Sequence, residues 1–195
     1  MKNFIKEWGL FLLFMSLFIL SYIFVWVNVK VDGHSMDPTL ADGERLFVVK
    51  VAKIDRFDIV VAQEDDKKIV KRVIGMPGDT ISYDNDVLTV NGEVVEETYL
   101  NTYKAAFAKD KLQATYSYNK LFQELAMSAN AFTTDTQGNT SFSITVPEGQ
   151  YFLLGDDRIV SQDSRAVGTF AADDIIGEVK FRFWPLADFG TIHDK

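Results

Sequence analysis

The sequence contains no cysteine, and this absence removes several kinds of chemistry at once. Disulfide bonds, thiolate nucleophiles and cysteine-ligated metal sites are all excluded. Histidine is nearly as scarce, with 2 residues in a chain of 195. Few residues are therefore available for a histidine-based metal site or a Ser-His-Asp triad.

Basic residues are also in deficit, because 20 lysines and arginines stand against 28 aspartates and glutamates, for a formal net charge of −8. Nucleic-acid binding needs a positive surface to meet the phosphates, so the composition argues against a nucleic-acid partner. Three acidic pairs, Asp65-Asp66, Asp156-Asp157 and Asp173-Asp174, have no histidine or carboxylate partners at metal-ligand spacing. We predict that they are solvated turn residues, and we expect neither a metal ion nor a cofactor.

Charge is missing altogether from residues 9–27, GLFLLFMSLFILSYIFVWV. A run of about 20 apolar residues can cross a bilayer as a helix. This run has no polar face, and it ends in bulky residues, whereas a cleaved signal peptide ends in small ones. We predict a single transmembrane anchor at 9–27 in the cell membrane. Because Lys2, Lys6 and the amino terminus outnumber Glu7, residues 1–8 would be cytoplasmic and the remainder extracytoplasmic.

The rest of the chain has mainly β character. Short segments rich in branched residues alternate with polar turns, which is typical of strands. These segments are 44–52, 56–63, 67–75, 87–95, 150–155 and 175–185. Within 87–95, Asn91-Gly92 predicts a type I′ hairpin turn. We therefore predict a β-sheet or barrel body made of residues 28–95 and 148–195.

Residues 96–147 differ in character and are predicted to form a small inserted, cap-like α+β subdomain. Leu121, Phe122, Leu125 and Ala126 recur at helical spacing and predict a helix over 118–129. Residues 131–146 predict a hairpin that turns at Gly138-Asn139.

Candidate chemistry is concentrated in VDGHSMDPTL, residues 31–40, where Ser35 is a candidate nucleophile. His34 is its neighbour, but adjacent side chains of an extended segment point to opposite faces. The other histidine, His193, lies near a chain end that we expect to be mobile. A lysine can replace histidine as the base only as a neutral amine, which requires burial. Lys71 lies among branched apolar residues in IVKRVIG, although a lysine that snorkels at a strand edge fits equally well.

Four motifs follow the apolar run in order: GHSMDPTL (33–40), FDIVV (57–61), KRVIGMPGD (71–79) and GDDRIVSQDSR (155–165). Together they resemble the bacterial type I signal peptidases, the membrane-bound Ser-Lys proteases that remove signal peptides from exported preproteins after small-x-small sites. The single predicted anchor is similar to the Gram-positive form. The resemblance covers about 4–99 and 148–184, and no motif matches the segment between them.

The resemblance implies roles for individual residues. Ser35 would be the nucleophile and Lys71 the general base. Ser161 would form a hydrogen bond with the lysine and orient it. Asp163 and Arg165 would form a pair that supports the 155–165 loop.

Three further positions complete the site that the resemblance implies. Arg72 would lie close to the supporting pair. Gly33 stands where some family members have a serine whose hydroxyl contributes to the oxyanion hole, so backbone N–H groups of Ser35 and a neighbour would form the hole here. Asp157 stands where the family often has asparagine, which changes the expected charge of the loop.

Substrate specificity is implied for five apolar residues that fall where the family has its pocket walls: Val31, Met36, Leu40, Val61 and Val70. A shallow apolar pocket admits alanine and excludes larger side chains. Ordinary core positions are the alternative for each residue taken singly. The peptide would lie extended and pair with exposed strands beside the dyad.

Two other functions are compatible with parts of the sequence. A self-cleaving repressor-type Ser-Lys protease has a similar β fold but would carry a DNA-binding head in place of the apolar run. A catalytically silent, membrane-tethered β domain would bind surface proteins. The aromatic residues Phe170, Phe181, Phe183, Trp184 and Phe189 predict either a patch that rests on lipid or sheet core.

Overall fold

The computed structural model describes residues 2–192; Met1 and residues 193–195, which include His193, lie outside the described residues. Antiparallel strands dominate, so the prediction of a mainly β fold is confirmed. The strands are β1 Trp26–Lys30, β2 Arg45–Val49, β3 Ile59–Glu64, β4 Lys67–Gly75, β5 Thr80–Asp84, β6 Val87–Val90, β7 Glu93–Val95, β8 Ser141–Thr145, β9 Gln150–Leu154, β10 Phe170–Ala171, β11 Ile175–Trp184 and β12 Gly190–Thr191.

The first sheet has eight strands and contains most of the candidate residues. Its order is β1-β2-β11-β3-β4-β9-β10, and β12 pairs with β11. Strands β3 and β4 form a hairpin with Val60 opposite Lys71. Alternating apolar residues of these strands face a common core with the segment that follows β1. The sheet therefore brings the middle of β4 next to the loop between β1 and β2.

The second sheet has four strands in the order β7-β6-β5-β8. Asn91 and Gly92 both have positive φ, 52° and 87°, which confirms the predicted type I′ turn between β6 and β7. Strand β8 pairs with β5, with Thr145 opposite Thr80. The predicted boundary between a body ending at 95 and an insertion beginning at 96 therefore divides one continuous sheet.

The hairpin predicted over 131–146 is wrong, because only β8 forms there and its partner is β5. Backbone groups earlier in the segment are satisfied by side chains. The Asp86 carboxylate accepts hydrogen bonds from the Phe132 and Thr133 N–H groups, at 3.2 and 2.6 Å. These bonds replace a strand ladder and tie the segment to the β5–β6 turn.

Four α-helices complete the fold: α1 Lys2–Val25, α2 Asn101–Asp110, α3 Lys120–Ser128 and α4 Ser164–Val167. Helix α3 confirms the helix predicted over 118–129. The side chain of Asn119 caps it by accepting from the N–H groups of Leu121 and Phe122. Helix α2 was not predicted from the sequence. Both helices pack around Tyr103, Tyr116 and neighbouring aromatic residues in a core of their own.

The apolar run at 9–27 does not form one continuous helix. Helix α1 ends at Val25, and Trp26 begins β1 because its backbone pairs with Val49 of β2. Within residues 2–192 no helix is both long and apolar enough to cross a membrane. Apolar side chains along α1 are nevertheless open to the surroundings, with Leu10 82% and Phe14 67% exposed.

The C-terminal aromatic residues divide between core and surface. Phe170 is buried with Val73 and Leu153 in the core of the first sheet. Trp184 and Phe189 are exposed, and Phe181 and Phe183 are half-buried. Sheet core therefore describes Phe170, while contact of the exposed residues with lipid stays a prediction.

Candidate active site

Ser35 lies in the loop that connects β1 to β2. The base of the loop is closed by backbone hydrogen bonds from Val31 to Glu44 and from Gly43 to Val31, at 2.8 and 3.0 Å. Met36 and Leu40 point into the core and are 1% and 0% exposed. Burial of these two side chains holds Ser35 at the surface of the first sheet.

Lys71 lies in the middle of β4, and its side chain reaches the Ser35 loop. Its Nζ donates a hydrogen bond to Ser35 Oγ at 2.7 Å. Lys71 is only 4% exposed, and among the described residues no carboxylate lies within ion-pair distance of its ammonium group. Burial lowers the pKa of Lys71 from its ordinary value, and the more distant charge of Asp163 opposes this effect. Burial therefore makes the neutral amine more favourable for Lys71 than for an exposed lysine.

His34 has different partners, although it is adjacent to Ser35. Its Nδ1 lies 3.0 Å from Asp37 Oδ2, and its ring packs 5.2 Å from that of Tyr118. The ring of Phe122 is also in contact, at 5.8 Å. The structure thus pairs Ser35 with Lys71 and directs His34 to the 96–147 segment.

Arg72 faces away from Lys71 because consecutive residues of a strand point to opposite sides. It is fully buried and forms a bidentate pair with Asp156, with Nε–Oδ1 and Nη2–Oδ2 distances of 2.8 Å. The hydroxyl of Thr39 donates to Asp156 Oδ2 at 2.5 Å. This arrangement ties the Ser35 loop to β4 and to the 155–165 loop, whereas Asp163 pairs with a different arginine.

Asp163 and Arg165 form the pair that the resemblance implies. Arg165 donates from Nε and Nη2 to the two Asp163 oxygens, each at 2.8 Å. Arg165 also donates to the carbonyl oxygens of Thr134 and Arg158, at 3.0 and 2.9 Å. Although burial raises the pKa of Asp163, the Arg165 charge and hydrogen bonds bring it below its ordinary value. The ionised pair cross-links the turns of the loop.

Ser161 does not make the predicted hydrogen bond to Lys71. Its hydroxyl oxygen is buried and makes no hydrogen bond of normal geometry among the described residues, and the group it influences is the Asp163 carboxyl, whose pKa it helps to lower. It lies instead beside Gly155, where a Cβ would collide with Ser161 Oγ and with the carbonyl oxygen of Ser35. Lys71 Nζ is directed to Ser35 Oγ, so the predicted orienting bond is wrong for this structure. Gly155 is a close neighbour of Ser35 that the sequence did not single out.

Gly33 is placed two residues before Ser35 with φ of +88°, a conformation that side chains other than glycine rarely adopt. Its N–H donates to Asp42 Oδ1 at 2.8 Å, so it is already occupied. The N–H of Ser35 itself has no acceptor among the described residues. The Ser35 N–H is therefore a backbone donor available beside the Ser35 hydroxyl.

The predicted pocket residues cluster together but are mostly closed off. Val31, Met36, Leu40 and Val61 are all in the core cluster below the Ser35 loop, and Val70 is partly buried against it. Exposures of 0–3% for the first four mean that they form a floor and not an open wall. Their role in substrate selection remains a prediction.

Asp156 and Asp157 correct the prediction that the acidic pairs are solvated. Both are fully buried, whereas Asp65 and Asp66 are exposed. Asp156 pairs with Arg72, and the backbone N–H of Asp157 donates to the carbonyl oxygen of Ser35 at 3.1 Å. The signal in the sequence that could have predicted this burial is that both aspartates lie in a loop with two arginines. Among residues 2–192 no group of three metal-binding side chains occurs.

Known proteins with similar sequences are signal peptidases. A family model described as signal peptidase, peptidase S26, matches residues 3–184. Signal peptidase I of Streptococcus pneumoniae strain R6 is 64% identical over 199 residues, which cover 97% of this chain and 98% of the relative. Signal peptidase IB of Staphylococcus aureus strain COL is 38% identical over 197 residues, 97% of this chain and 94% of the relative.

A solved signal peptidase I from Enterococcus faecalis V583 is 29% identical, with a TM-score of 0.48, and the match covers 66% of this chain and 97% of that one. The family model and the two relatives cover almost the whole sequence described above. The chain therefore belongs to the signal peptidases of peptidase family S26 and is a serine endopeptidase of that family.

Proposed function

We propose that this protein cleaves signal peptides from exported preproteins after small-x-small sites, with Ser35 as nucleophile and Lys71 as general base. The observation that supports this most strongly is the 2.7 Å contact between Lys71 Nζ and Ser35 Oγ. It involves a lysine that is buried and whose pKa is lowered by that burial. In the neutral-amine form the same two atoms allow the Ser35 hydroxyl to donate its proton to Nζ.

The proposed reaction has two steps. Ser35 Oγ attacks the scissile carbonyl carbon while Lys71 accepts the Ser35 proton, and the resulting ammonium returns a proton to the leaving amine. Neutral Lys71 then removes a proton from water, which attacks the acyl-enzyme ester, and the ammonium returns that proton to Ser35 Oγ as the ester C–O bond breaks. The free N–H of Ser35 would donate to the oxyanion in each tetrahedral intermediate. Gly33 contributes no hydroxyl to this hole.

The open edge of β4 suits an extended peptide. Residues 67–72 of β4 pair with β3 on one side, while on the other side β9 pairs only with Arg72, Val73 and Gly75. No described strand occupies the second edge at Lys67–Val70, immediately before the general base. A substrate strand added there would bring its scissile bond to Ser35.

Membrane attachment belongs to the same proposal. Helix α1 exposes many large apolar side chains, including Leu10, Phe14 and Phe18, and water is a poor solvent for such a surface. Although no helix within residues 2–192 is by itself long and apolar enough to cross a membrane, we propose that the apolar run at 9–27 attaches the chain to the bilayer as a single-pass anchor, with the N-terminus cytoplasmic and the β body outside the cell. Exposed Trp184 and Phe189 would lie at the lipid surface.

Cleavage of an exported preprotein by the detergent-solubilised full chain tests the catalytic part. The cut should lie after a small-x-small sequence when it is located by mass spectrometry, and Ser35→Ala should abolish it. A serine-reactive acylating inhibitor should label the wild type and leave Ser35→Ala unlabelled. Absence of both labelling and cleavage would favour the silent β-domain alternative, and cleavage by Ser35→Ala would refute the assigned nucleophile.

Fractionation tests the membrane part. The full chain should sediment with cell membranes, resist alkaline carbonate and be released by detergent. Protease added to intact spheroplasts should digest the β body. Recovery in the soluble fraction, or protection of the β body, would contradict the proposed location.

A further inference from the structure

Asp157 lies directly behind the Ser35 loop and is fully buried. Its backbone N–H donates to the Ser35 carbonyl oxygen at 3.1 Å, and its own carbonyl oxygen accepts from the Ser161 N–H at 3.0 Å. The main chain of Asp157 therefore holds the residue that carries the nucleophile. The catalytic steps above give its carboxyl group no role.

That carboxyl group is in contact with the segment between α2 and α3. Asp157 Oδ1 accepts a hydrogen bond from the Tyr116 hydroxyl at 2.6 Å. Its Oδ2 has no partner among the described residues. Tyr116 is fully buried and is held by edge-on contacts with the rings of Tyr103 and Phe122. A rigid aromatic core thus presents one hydroxyl to the loop behind the active site.

Charged and polar groups face Asp157 from three parts of the chain. Asp37, on the Ser35 loop, is the negative group that faces it, and His34 pairs with Asp37. The hydroxyls of Tyr103 and Tyr118 face it from the helical segment. Within its own loop the N–H groups of Ile159 and Val160 favour the carboxylate.

Burial outweighs these favourable contacts. Desolvation raises the pKa of Asp157 to about 7, the Tyr116 hydrogen bond works to lower it, and Asp37 raises it further. An exposed aspartate is ionised throughout the neutral range. Asp157 instead changes its charge there.

We propose that Asp157 is a positioning residue for Ser35, that its neutral form keeps the Ser35 loop in the reactive geometry, and that Tyr116 is the link by which the helical segment controls it. This inference rests on the proposed Ser35–Lys71 mechanism. Ionisation places a negative charge with one unpartnered oxygen inside the protein, facing Asp37. Repulsion between the two carboxylates then acts on the loop that carries the nucleophile.

The test is the ratio of two kcat values, that of Asp157→Asn divided by that of the wild type. Both are measured on one preprotein-derived peptide from about pH 6 to about pH 9. The amide has the shape of the neutral acid and does not ionise, while the titration of Lys71 is common to both proteins. We expect the ratio to rise roughly tenfold with increasing pH, because small displacements of a nucleophile lower rates by up to about 100-fold. Its midpoint should lie near the Asp157 pKa of about 7. A ratio that is constant with pH would overturn the proposal, since a purely structural effect is independent of pH.

Tyr116→Phe tests the link to the helical segment. Removing the hydroxyl takes away a hydrogen bond that lowers the pKa of Asp157, so the midpoint of the ratio should move to higher pH in this background. Tyr103→Phe is the matched control, because Tyr103 lies in the same core and makes no side-chain hydrogen bond among the described residues. A midpoint that Tyr116→Phe leaves in place would overturn the link.

The Tyr116→Phe variant keeps the proposal testable if Asp157→Asn misfolds. If Asp157→Asn does not fold, the alkaline limbs of the wild-type and Tyr116→Phe kcat profiles must still differ, and coincident limbs would refute the inference. Failure of the proposed function gives a distinct result. In that case the wild type cleaves no peptide at any pH.

Discussion

Two neighbouring cations on β4 face two different regions of the molecule. Arg72 enters the polar cluster behind the active site, where Asp156 satisfies it with two hydrogen bonds. Lys71 enters the Ser35 loop, where its nearest partner is a hydroxyl. Both are almost completely buried. A buried cation that meets a carboxylate keeps its charge, and loss of either partner is strongly destabilising. One that meets only a hydroxyl has its pKa lowered by burial, which favours the neutral form.

Substitution of Lys71 by arginine should have the largest effect on activity, because it makes residue 71 a permanent cation like Arg72. The guanidinium retains the charge but titrates above about 12, so it cannot serve as a base near neutral pH. We expect kcat to fall by up to about 10⁴-fold, the upper range for general-base catalysis. Lys71→Ala should behave similarly. The measurement is peptide cleavage under saturating substrate.

His34→Ala is the control for this prediction, because His34 contacts Asp37 and the aromatic residues and not Ser35. It should retain most of its activity. Wild-type activity should also rise from mildly acidic to alkaline pH as Lys71 loses its proton, until ionisation of Asp157 opposes the gain. An inactive His34→Ala together with an active Lys71→Ala would refute the Ser-Lys pair.

Replacing Arg72 and Lys71 singly by methionine should change the free energy of unfolding in opposite directions. Arg72→Met leaves Asp156 buried without its partner and should lower the free energy of unfolding by about 3–5 kcal/mol. Lys71→Met removes a buried ammonium that lacks a carboxylate partner, and should raise it by about 1 kcal/mol at neutral pH. Denaturant unfolding at several pH values measures both.

The pH dependence of the Lys71→Met effect follows from the direction of the pKa shift. Folding lowers the pKa of Lys71 below its ordinary value of 10.5, so the folded state binds this proton less tightly than the unfolded state. The penalty is complete below the folded pKa and disappears as pH rises to the unfolded value. The gain from Lys71→Met should therefore shrink toward about pH 10.5. Equal losses of stability in the two methionine variants would contradict the comparison.

Gly155→Ala should affect the catalytic region more than the fold. A methyl group there would collide with Ser161 Oγ and with the Ser35 carbonyl oxygen, so the loop that carries the nucleophile must move. We expect kcat to fall by about 10- to 100-fold. Gly92→Ala provides the contrast, since it strains a turn with φ of +87° far from Ser35 in sequence. It should cost about 1 kcal/mol of stability without changing kcat. Identical kcat values for the two variants would refute the role of Gly155.

Thr39→Val should produce the smallest effect. It removes the hydroxyl that donates to Asp156 at 2.5 Å and connects the Ser35 loop to the polar cluster. The expected loss is about 1 kcal/mol of unfolding free energy, since Arg72 still satisfies Asp156. Thr136→Val, on an exposed segment, should change stability by less than about 0.5 kcal/mol. A loss no greater than that of the control would show that this link is dispensable.

Local patterns in the sequence predicted the elements whose periodicity is strong. Strand β4, the Asn91-Gly92 turn and helix α3 all lie where they were expected, because alternation, turn chemistry and helical spacing act over a few residues. Helix α2 was missed, because its apolar residues pack around Tyr116 and Phe132 and leave little amphipathic pattern. Strand β1 was missed because it continues an apolar run without a turn signal.

The residues of the candidate site also divide into those that the sequence predicted and those that it did not. The motifs, through the family resemblance, implied roles for Ser35, Lys71, Asp163 and Arg165, whereas the residues alone offered Ser35 as a candidate nucleophile and left Lys71 open between a buried base and a strand-edge lysine. They did not predict that Asp156 would pair with Arg72, that Ser161 would be turned away from Lys71, or that Gly155 would touch the nucleophile loop. Those outcomes depend on side-chain directions at the meeting point of segments more than 80 residues apart.

By itself the sequence determined which chemistry was available: no thiols, almost no imidazole, and a lysine, Lys71, placed among branched apolar residues. Tertiary structure decided which groups meet. Ser35 and Lys71 are 36 residues apart, and Thr39 and Asp156 are 117 residues apart. Strand β8 joins β5 across the helical segment. The physical reason is that burial is a property of the packed chain, since residues distant in sequence supply the groups that exclude water. The proposed roles of Lys71 and Asp157 both depend on it.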